Sequence, residues 1–488
     1  MTYLKNPCAN RVSQIDMQSL QPDFVDRDYR KLSYWHDSVP GSLSPRPQLD
    51  KDIEVDVAIA GAGYTGLWTA YYLKQLKPTL SIAIIESEIA GFGASGRNGG
   101  WCSAYLSGMD KSLGDPATAD AAIRLQRLLF DTVKEVGRVT DRESVDCHFD
   151  QSGQVEAAIL PAQLHRLHEE VDFMHRLGFG EQDFRYLTTQ QLREHINIDG
   201  ALGGMYMSHC AAIHPARLVR GLADVLESQG VNIFEQTAVI KLDQQGLVTA
   251  TGRVKAGNTI LATEGYTGSI KGLERKLIPV HSMMIATEPL SDLQLEQTGL
   301  HQRHTFNNLD HLTTYGQLTA DRRIAFGCRG SYLFGSGVRS HFNPADPEFD
   351  LVWETLLKFF PALRGSRYTH AWGGAMGVSR TLHPSVCFNR ERRFGWAGGY
   401  FGNGVGASNL AGRTMADLIL ERDTDRVHTP WVNPEHEREL DKKLWEIEPV
   451  RWLGINTRAQ LMKLADRAER NNSRAATIIN KTVETFFP

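Results

Sequence analysis

Val55-Asp-Val-Ala-Ile-Ala60 runs without a break into Gly61-Ala-Gly63-Tyr-Thr-Gly66, and this stretch decides the fold. Val55–Ala60 reads as an apolar strand, Leu67 to Leu76 as a helix-compatible stretch, and Ser81-Ile-Ala-Ile-Ile-Glu86 as a second strand. Strand, spaced glycines, helix and strand in that order make the unit that binds a dinucleotide. Each glycine has its own task. Gly61 makes the tight turn, Gly63 lets the backbone approach a pyrophosphate, and Gly66 lets helix pack on strand. Glu86 ends the second strand 20 residues past Gly66, where a carboxylate accepts hydrogen bonds from a ribose.

The whole chain bounds what surrounds this unit. Its 488 residues leave room for two or three packed domains. An apolar content of 41% and a charged content of 23% are those of a soluble globular protein. A net charge of -4 argues against a nucleic-acid footprint or a polybasic membrane patch. The cysteines (Cys8, Cys102, Cys147, Cys210, Cys328, Cys387) are scattered without a C-x-x-C pair. Zinc and disulfide scaffolds are therefore not expected, and a reducing compartment fits best. No apolar run reaches the roughly 18 residues of a membrane span, and Met1-Thr-Tyr-Leu-Lys-Asn lacks a signal-peptide apolar core. The expectation is a cytoplasmic enzyme with no metal, no nucleic-acid partner and no membrane partner; oligomerisation is left open.

Residues 1–50, with Pro40, Pro45 and Pro47, read as an arm lying on the surface. Residues 115–146 and 161–178 show helical spacing of apolar residues among charges. A helix from Pro215 to Gly230 precedes strand Val231–Phe234, a meander at 247–255, and a buried strand opening on Thr259. Short alternating segments between 277 and 340 predict antiparallel sheet, and 394–421 reverts to strand, glycine-rich loop and helix. Beyond 422 the chain is charged and helical, with Trp431, Trp445 and Trp452 as docking anchors. The expected fold class is α/β. A Rossmann-type domain (51–110, 200–270 and 365–421) is interleaved with an antiparallel-sheet substrate domain (111–199 and 271–364), and a helical extension spans 422–488.

A nicotinamide-linked flavoprotein reductase would need a second G-x-G-x-x-G after a second apolar strand. Gly335-Ser-Gly337 follows no such strand, and Gly200 to Gly204 has the wrong spacing. One fingerprint means one dinucleotide. Two further clusters, Gly91-Phe-Gly-Ala-Ser-Gly-Arg-Asn-Gly-Gly100 and Gly398-Gly-Tyr-Phe-Gly-Asn-Gly-Val-Gly406, point to FAD rather than NAD. A flavin needs close backbone contact along phosphate, ribityl chain and ring, which glycines allow and helix N-termini favour.

These motifs, with His214-Pro-Ala, Ala262-Thr-Glu-Gly-Tyr266 and Trp372-Gly-Gly, resemble the D-amino-acid oxidase superfamily. Within it the chain looks most like the amine-oxidising branch typified by gamma-glutamylputrescine oxidase. The resemblance covers about 53–421. It implies that Gly61, Gly63, Tyr64, Thr65 and Gly66 face the FAD pyrophosphate and that Glu86 binds the adenosine ribose. It runs Ser95, Arg97, Asn98, Gly99 and Gly100 past phosphate and ribityl towards the isoalloxazine ring. Val239 would meet the adenine through its backbone, and Thr263, Glu264 and Gly265 would flank the adenosine half. Phe401, Gly402, Asn403, Gly404 and Val405 would close over the pyrimidine end of the ring.

One departure bears on substrate. Members that oxidise α-amino acids usually carry an Arg four residues after the Trp of the W-x-G motif, to clamp a carboxylate. Here that position is Met376. Losing a bidentate cation argues against simple amino acids, although Arg329 or Arg380 could substitute. His214 reads as a helix start, and His281, His370 and His383 as hydrogen-bonded structural histidines. The expected function is FAD-dependent oxidation of a C–N bond in a small amine or N-substituted amino compound. Hydride passes to the flavin, the imine hydrolyses, and O2 becomes H2O2. Two alternatives are an oxidase or dehydrogenase of a secondary amino acid such as iminodiacetate or sarcosine, and a non-catalytic FAD-binding subunit.

Overall fold

The computed structural model describes residues 27–432 (the Arg329 side chain excepted), 444–471, 478–479 and 482. Its first sheet runs in the order Ser385–Asn389, Phe394–Gly398, Arg253–Leu261, Ile53–Ala60, Ile82–Ile85, Asn232–Phe234. From Phe394–Gly398 to Asn232–Phe234 every pairing is parallel, and Ser385–Asn389 closes the edge antiparallel. Parallel strands are covered on both faces, so they read as unbroken apolar runs. Val57, Ala58, Ile59 and Ala60 are accordingly all fully buried. The helix Tyr64–Leu76 lies against this sheet and the helix Gly404–Ile419, and Leu67, Trp68 and Tyr71 make it apolar almost all round. The meander is present, but its last strand is longer than expected. Arg253–Leu261 is one strand, pairing with Gly246–Thr249 along its first half and with Ile53–Ala60 along most of its length.

The second sheet has eight strands, in the order Tyr368–Ser379, Leu277–Thr287, Ile324–Tyr332, Thr314–Leu318, Thr305–Asn308, Gln154–Ala158, Gly203–Met207, Phe184–Thr188. All pairings are antiparallel except that of Thr305–Asn308 with Gln154–Ala158. Two members, Gly203–Met207 and Tyr368–Ser379, fall inside ranges expected for the nucleotide-binding domain. Their apolar patterns suit either sheet, and only pairing with Gln154–Ala158 and Leu277–Thr287 assigns them to this one. A core of Val155, Ile285, Phe306, Phe326, Phe349 and Phe360 backs it.

The arm departs most from expectation. From residue 27 on it is no surface segment: Tyr29, Leu32, Tyr34, Trp35, Val39, Leu43 and Leu49 are buried. Trp35 is 1% exposed and packs against Trp372 and Ala216, so the arm straps the two sheets together. Four aromatic or leucine side chains between residues 29 and 35 provide the apolar surface that makes this favourable. Residues 1–26 lie outside the described residues. At the other end, Trp431 and Trp445 are buried, and Trp445 Nε1 donates to Val378 O at 2.8 Å. Trp452 is no anchor: it stands 36% exposed on the helix Val450–Arg470.

Candidate functional site

The glycine loop is built by steric necessity. Gly61 sits at φ +104°, and a Cβ there would lie 2.5 Å from Ala262 O. A Cβ on Gly66 would come within 2.1 Å of Gly61 O, so the helix could not seat on the strand. Gly61 N donates to Ile85 O at 2.8 Å, fixing the turn against the second strand. At that strand's end Glu86 accepts from Ala62 N at 2.8 Å and Glu88 N at 3.1 Å. Glu86 O accepts from Thr237 N at 2.8 Å, which draws the segment leading to Val239 beside it.

The second loop holds the short turn Ala94–Arg97. Ser95 Oγ accepts from Tyr64 N at 2.9 Å and so links this turn to the first helix. Its carbonyls are gripped from outside. Trp35 Nε1 donates to Asn98 O at 2.8 Å, Trp372 Nε1 to Arg97 O at 2.9 Å, and Gln317 Nε2 to Gly99 O at 2.8 Å. Arg97 Nη1 donates to Ser340 O at 2.8 Å and Nη2 to Tyr266 Oη at 2.9 Å, while its buried Nε has no partner among the described residues. In the third loop Phe401 and Gly402 take positive φ, and the helix starts at Gly404, inside the glycine cluster itself. Tyr400 Oη bonds Thr65 Oγ1 at 3.0 Å, tying this loop to the first helix.

Glu264 sits elsewhere than expected. Thr263 and Gly265 stay at the strand end, and Glu264, which lines the cavity between the loops and the second sheet, turns its carboxylate to the third loop. It accepts from Gly377 N at 2.7 Å, Gly399 N at 2.8 Å and Tyr400 N at 3.1 Å. Burial pushes its carboxyl up to about 7 against the pull of those amides, and burial likewise pushes Glu86 up to about 7. A carboxyl that titrates near 4.5 when unfolded and near 7 when folded keeps its proton longer in the folded state. The stability it contributes is complete below 4.5 and lost as pH rises through 7. Cofactor-free protein should therefore show a falling denaturant midpoint across that window, and Glu264→Gln should flatten the fall. An unchanged slope in the variant would show that Glu264 titrates normally.

A cavity of about 390 Å³ lies where the second and third loops meet the second sheet. Tyr64, Thr65, Ser95, Arg97, Asn98, Gly99 and Phe401 to Val405 line one side; Gln154, Glu156, Asn307, Asn308, Tyr315 and Met376 line the other. Gly61, Gly63, Gly66 and Glu86 lie outside it, at the carboxyl ends of the parallel strands; Val239 is outside it too, and Gly100 sits against Gln317 of the second sheet. Arg380 is not in it either. Its Nε donates to Glu446 at 2.9 Å and its guanidinium stacks on Trp445, so it holds the C-terminal segment rather than a substrate. Arg329 pairs by register with cavity-lining Ser282, and its side chain lies outside the described residues. His214 caps the helix Pro215–Ser228, accepting from Arg217 N at 3.2 Å.

Sequence reasoning missed the far wall: Gln154 and Glu156 on one strand, Glu170 on the helix Pro161–Arg176, and Asn308. The alternation Gln154-Val-Glu156-Ala was a legible signal, since it puts two polar residues on one strand face. Gln154, Asn308 and Trp101 line the cavity, and the buried Gln154 Oε1, Asn308 Nδ2 and Trp101 Nε1 have no partner among the described residues. Glycine-lined approach at the first loop, a helix N-terminus above it, a carboxylate at the strand end and a polar cavity in line beyond fit an elongated dinucleotide whose reactive end reaches the second sheet. Among the described residues no metal-binding cluster is present, and no helix is long and apolar enough to cross a membrane.

A Rossmann-type domain whose glycine-lined strand ends open towards a cavity walled by an eight-stranded sheet is the architecture of an enzyme that binds one long dinucleotide. Residues 56–418 match the model of DAO, the FAD dependent oxidoreductase family, and the chain belongs to it. A probable oxidoreductase OrdL of Haemophilus influenzae is 30% identical over 394 residues, which cover 77% of this chain and 85% of that protein. The gamma-glutamylputrescine oxidoreductase of Escherichia coli is 29% identical over 404 residues, covering 81% and 90%. Among solved structures, glycine oxidase from Geobacillus kaustophilus superposes with a TM-score of 0.63 at 19% identity, covering 76% of this chain and 96% of that one. The protein is an FAD-dependent enzyme of this fold.

Proposed function

We propose that the enzyme oxidises a C–N bond in a small amine or N-substituted amino compound, with O2 as electron acceptor. The observation that carries this reading is the lining of the cavity. Arg97 is its only Lys or Arg side chain among the described residues, and its two terminal nitrogens are taken up by Ser340 and Tyr266. Met376 stands where a carboxylate-clamping Arg would, so an α-carboxylate would lack that bidentate partner. The likeness to the E. coli protein, named for an amine, supports the same choice.

FAD, held along Gly61 to Gly66, Ser95 to Gly99 and Phe401 to Val405, would supply a hydride acceptor for the carbon next to nitrogen and a donor of electrons to O2. The chain supplies position and exclusion of water. Tyr400, buried and held well above its ordinary phenol range, stays protonated and braces the third loop against Thr65. The Glu264 carboxyl is engaged by three amides, so it holds Gly377, Gly399 and Tyr400 in place rather than taking a substrate proton. The imine leaves for hydrolysis by water.

An oxygen-electrode screen tests the reading. Uptake with alkylamines, weak uptake with N-substituted glycines and H2O2 in the medium are the expected result. A second reading, oxidation of a secondary amino acid, draws on the strand position of Arg329 opposite Ser282. It would be preferred if iminodiacetate or sarcosine outpaced every amine, and uptake with neither class would favour a non-catalytic subunit.

A further inference from the structure

Three carboxylates gather where the strand Ile82–Ile85 ends. Glu88 N donates to Glu86 at 3.1 Å, Gln236 N to Glu88 O at 2.8 Å, and Thr237 N to Glu86 O at 2.8 Å, so the turns 86–88 and 235–237 form one unit. Glu88 and Glu235 are buried in it. Among the described residues three guanidiniums bond these carboxylates, and the arm supplies two of them. Arg27 Nη1 donates to Glu88 Oε1 at 2.5 Å, beside Tyr29 Oη, which donates to Glu88 Oε2 at 3.1 Å. Arg46 gives Glu235 its backbone N–H at 2.7 Å and its Nη1 at 2.9 Å. Arg220, on the helix Pro215–Ser228, adds the third at 3.0 Å.

The same arm reaches the second glycine loop. Trp35 Nε1 holds Asn98 O at 2.8 Å, and a Cβ on Gly96 would come within 2.8 Å of His36 Cε1, so arm and loop meet with no room for a side chain between them. The arm therefore touches both segments that flank the cofactor's track, the strand end at Glu86 and the loop Ser95–Gly99. It does so from outside residues 56–418, which carry the family match. Docking the arm needs only its apolar side chains, which already pack on Phe92, Ala216 and Trp372. Its arginines do something else: a buried carboxylate without a cation is costly, and its field would fall on Glu86 and on a bound pyrophosphate alike.

We propose that residues 27–49 are a clasp that retains FAD, with Arg27 and Trp35 as positioning residues for the two ends of the cofactor. Arg27 neutralises Glu88 next to Glu86, where the ribose would lie. Trp35 fixes the Asn98 carbonyl, so that Ser95 to Gly99 keep their course past the phosphate and ribityl chain. This rests on Glu86 and the second loop lining the FAD track, and adds an element that the glycine motifs do not contain. Coupling of this kind is reciprocal: FAD must hold the arm down by the same factor by which the arm holds FAD.

The test uses the full chain, freed of FAD by dialysis against potassium bromide and then reloaded. Hydrogen exchange read by mass spectrometry should slow about tenfold at the arm amides of residues 29–38 when FAD is added. The helix Pro347–Phe359, which lines no part of the cavity, should not change. Arg27→Met should raise the dissociation constant for FAD about tenfold, the scale of one charged hydrogen bond, and Trp35→Phe about threefold to tenfold. Adding Glu88→Gln to Arg27→Met should recover most of the loss, because no unmatched carboxylate then stands beside Glu86. A merely structural arm would lower the melting temperature and give no such recovery. Arm exchange that ignores FAD overturns the inference, and this comparison on the parent chain decides even where a variant fails to fold. So does parent-like FAD affinity in both arm variants while Glu86→Ala binds weakly, which leaves the site reading standing. Parent-like affinity in all three overturns the site reading as well.

Discussion

Glu86→Ala should retain FAD at least tenfold more weakly than the parent chain, since charged hydrogen bonds contribute about 1.5–3 kcal/mol each and about 1.4 kcal/mol is a factor of ten. Glu86 ends the second strand of the dinucleotide unit, where a ribose would lie. Its carboxylate also accepts from Ala62 N and Glu88 N, so it braces the glycine loop from below. Removing it withdraws the ribose acceptors and loosens the turn that meets the pyrophosphate. Glu86→Gln separates these effects, because one amide oxygen can still serve Ala62 N while the charge is gone. Dialysis against buffer, followed by absorbance of the retained flavin, measures the outcome. Retention equal to the parent in Glu86→Ala would show that the ribose is held elsewhere.

The parts of this fold that were legible are those where covalent geometry or two-sided burial leaves a mark in the sequence. Gly61 and Gly66 are forced by backbone contacts at 2.5 and 2.1 Å, and no other residue type fits. Val57 to Ala60 is buried on both faces, so it reads as an apolar run. What escaped depends on partners far away in sequence. Tyr368–Ser379 is a strand by pattern, but its sheet is set by register with Leu277–Thr287. Trp35 looked like part of a polar arm until Trp372 and Ala216 closed around it. Arg380 was a candidate clamp until Glu446 and Trp445 claimed it. Glu264 sat in a motif whose resemblance placed it at the adenosine half, yet its carboxylate faces the third loop because Gly377, Gly399 and Tyr400 present their amides there. Side-chain charge says what a residue can bind, and only the tertiary fold says what reaches it.

The Met376 position sets the second large expected effect. In the parent enzyme, glycine and D-alanine should bleach the flavin far more slowly than an alkyl amine does, because Met376 offers their carboxylate no bidentate cation. Met376 lies on the strand Tyr368–Ser379 opposite Val280, lines the cavity, and its Sδ would be 3.6 Å from a Cβ placed on Gly402. Met376→Arg would bring a guanidinium to this wall, next to Glu264, whose carboxylate already bonds the adjacent Gly377 N at 2.7 Å. That neighbour offsets part of the cost of burying the new charge. KM for D-alanine should then fall by one to several orders of magnitude, on the scale of a charged hydrogen-bonded pair of about 2–5 kcal/mol, while the amine loses affinity to a like charge. Arg380→Met should leave both substrates within about threefold of the parent, since Arg380 is paired on the C-terminal segment and a surface pair is worth about 0–1 kcal/mol. Anaerobic stopped-flow reduction separates these outcomes. Rapid bleaching of the parent by D-alanine, unmoved in Arg380→Met, would place a carboxylate clamp elsewhere, with Arg329 on the strand facing Ser282 the next residue to change.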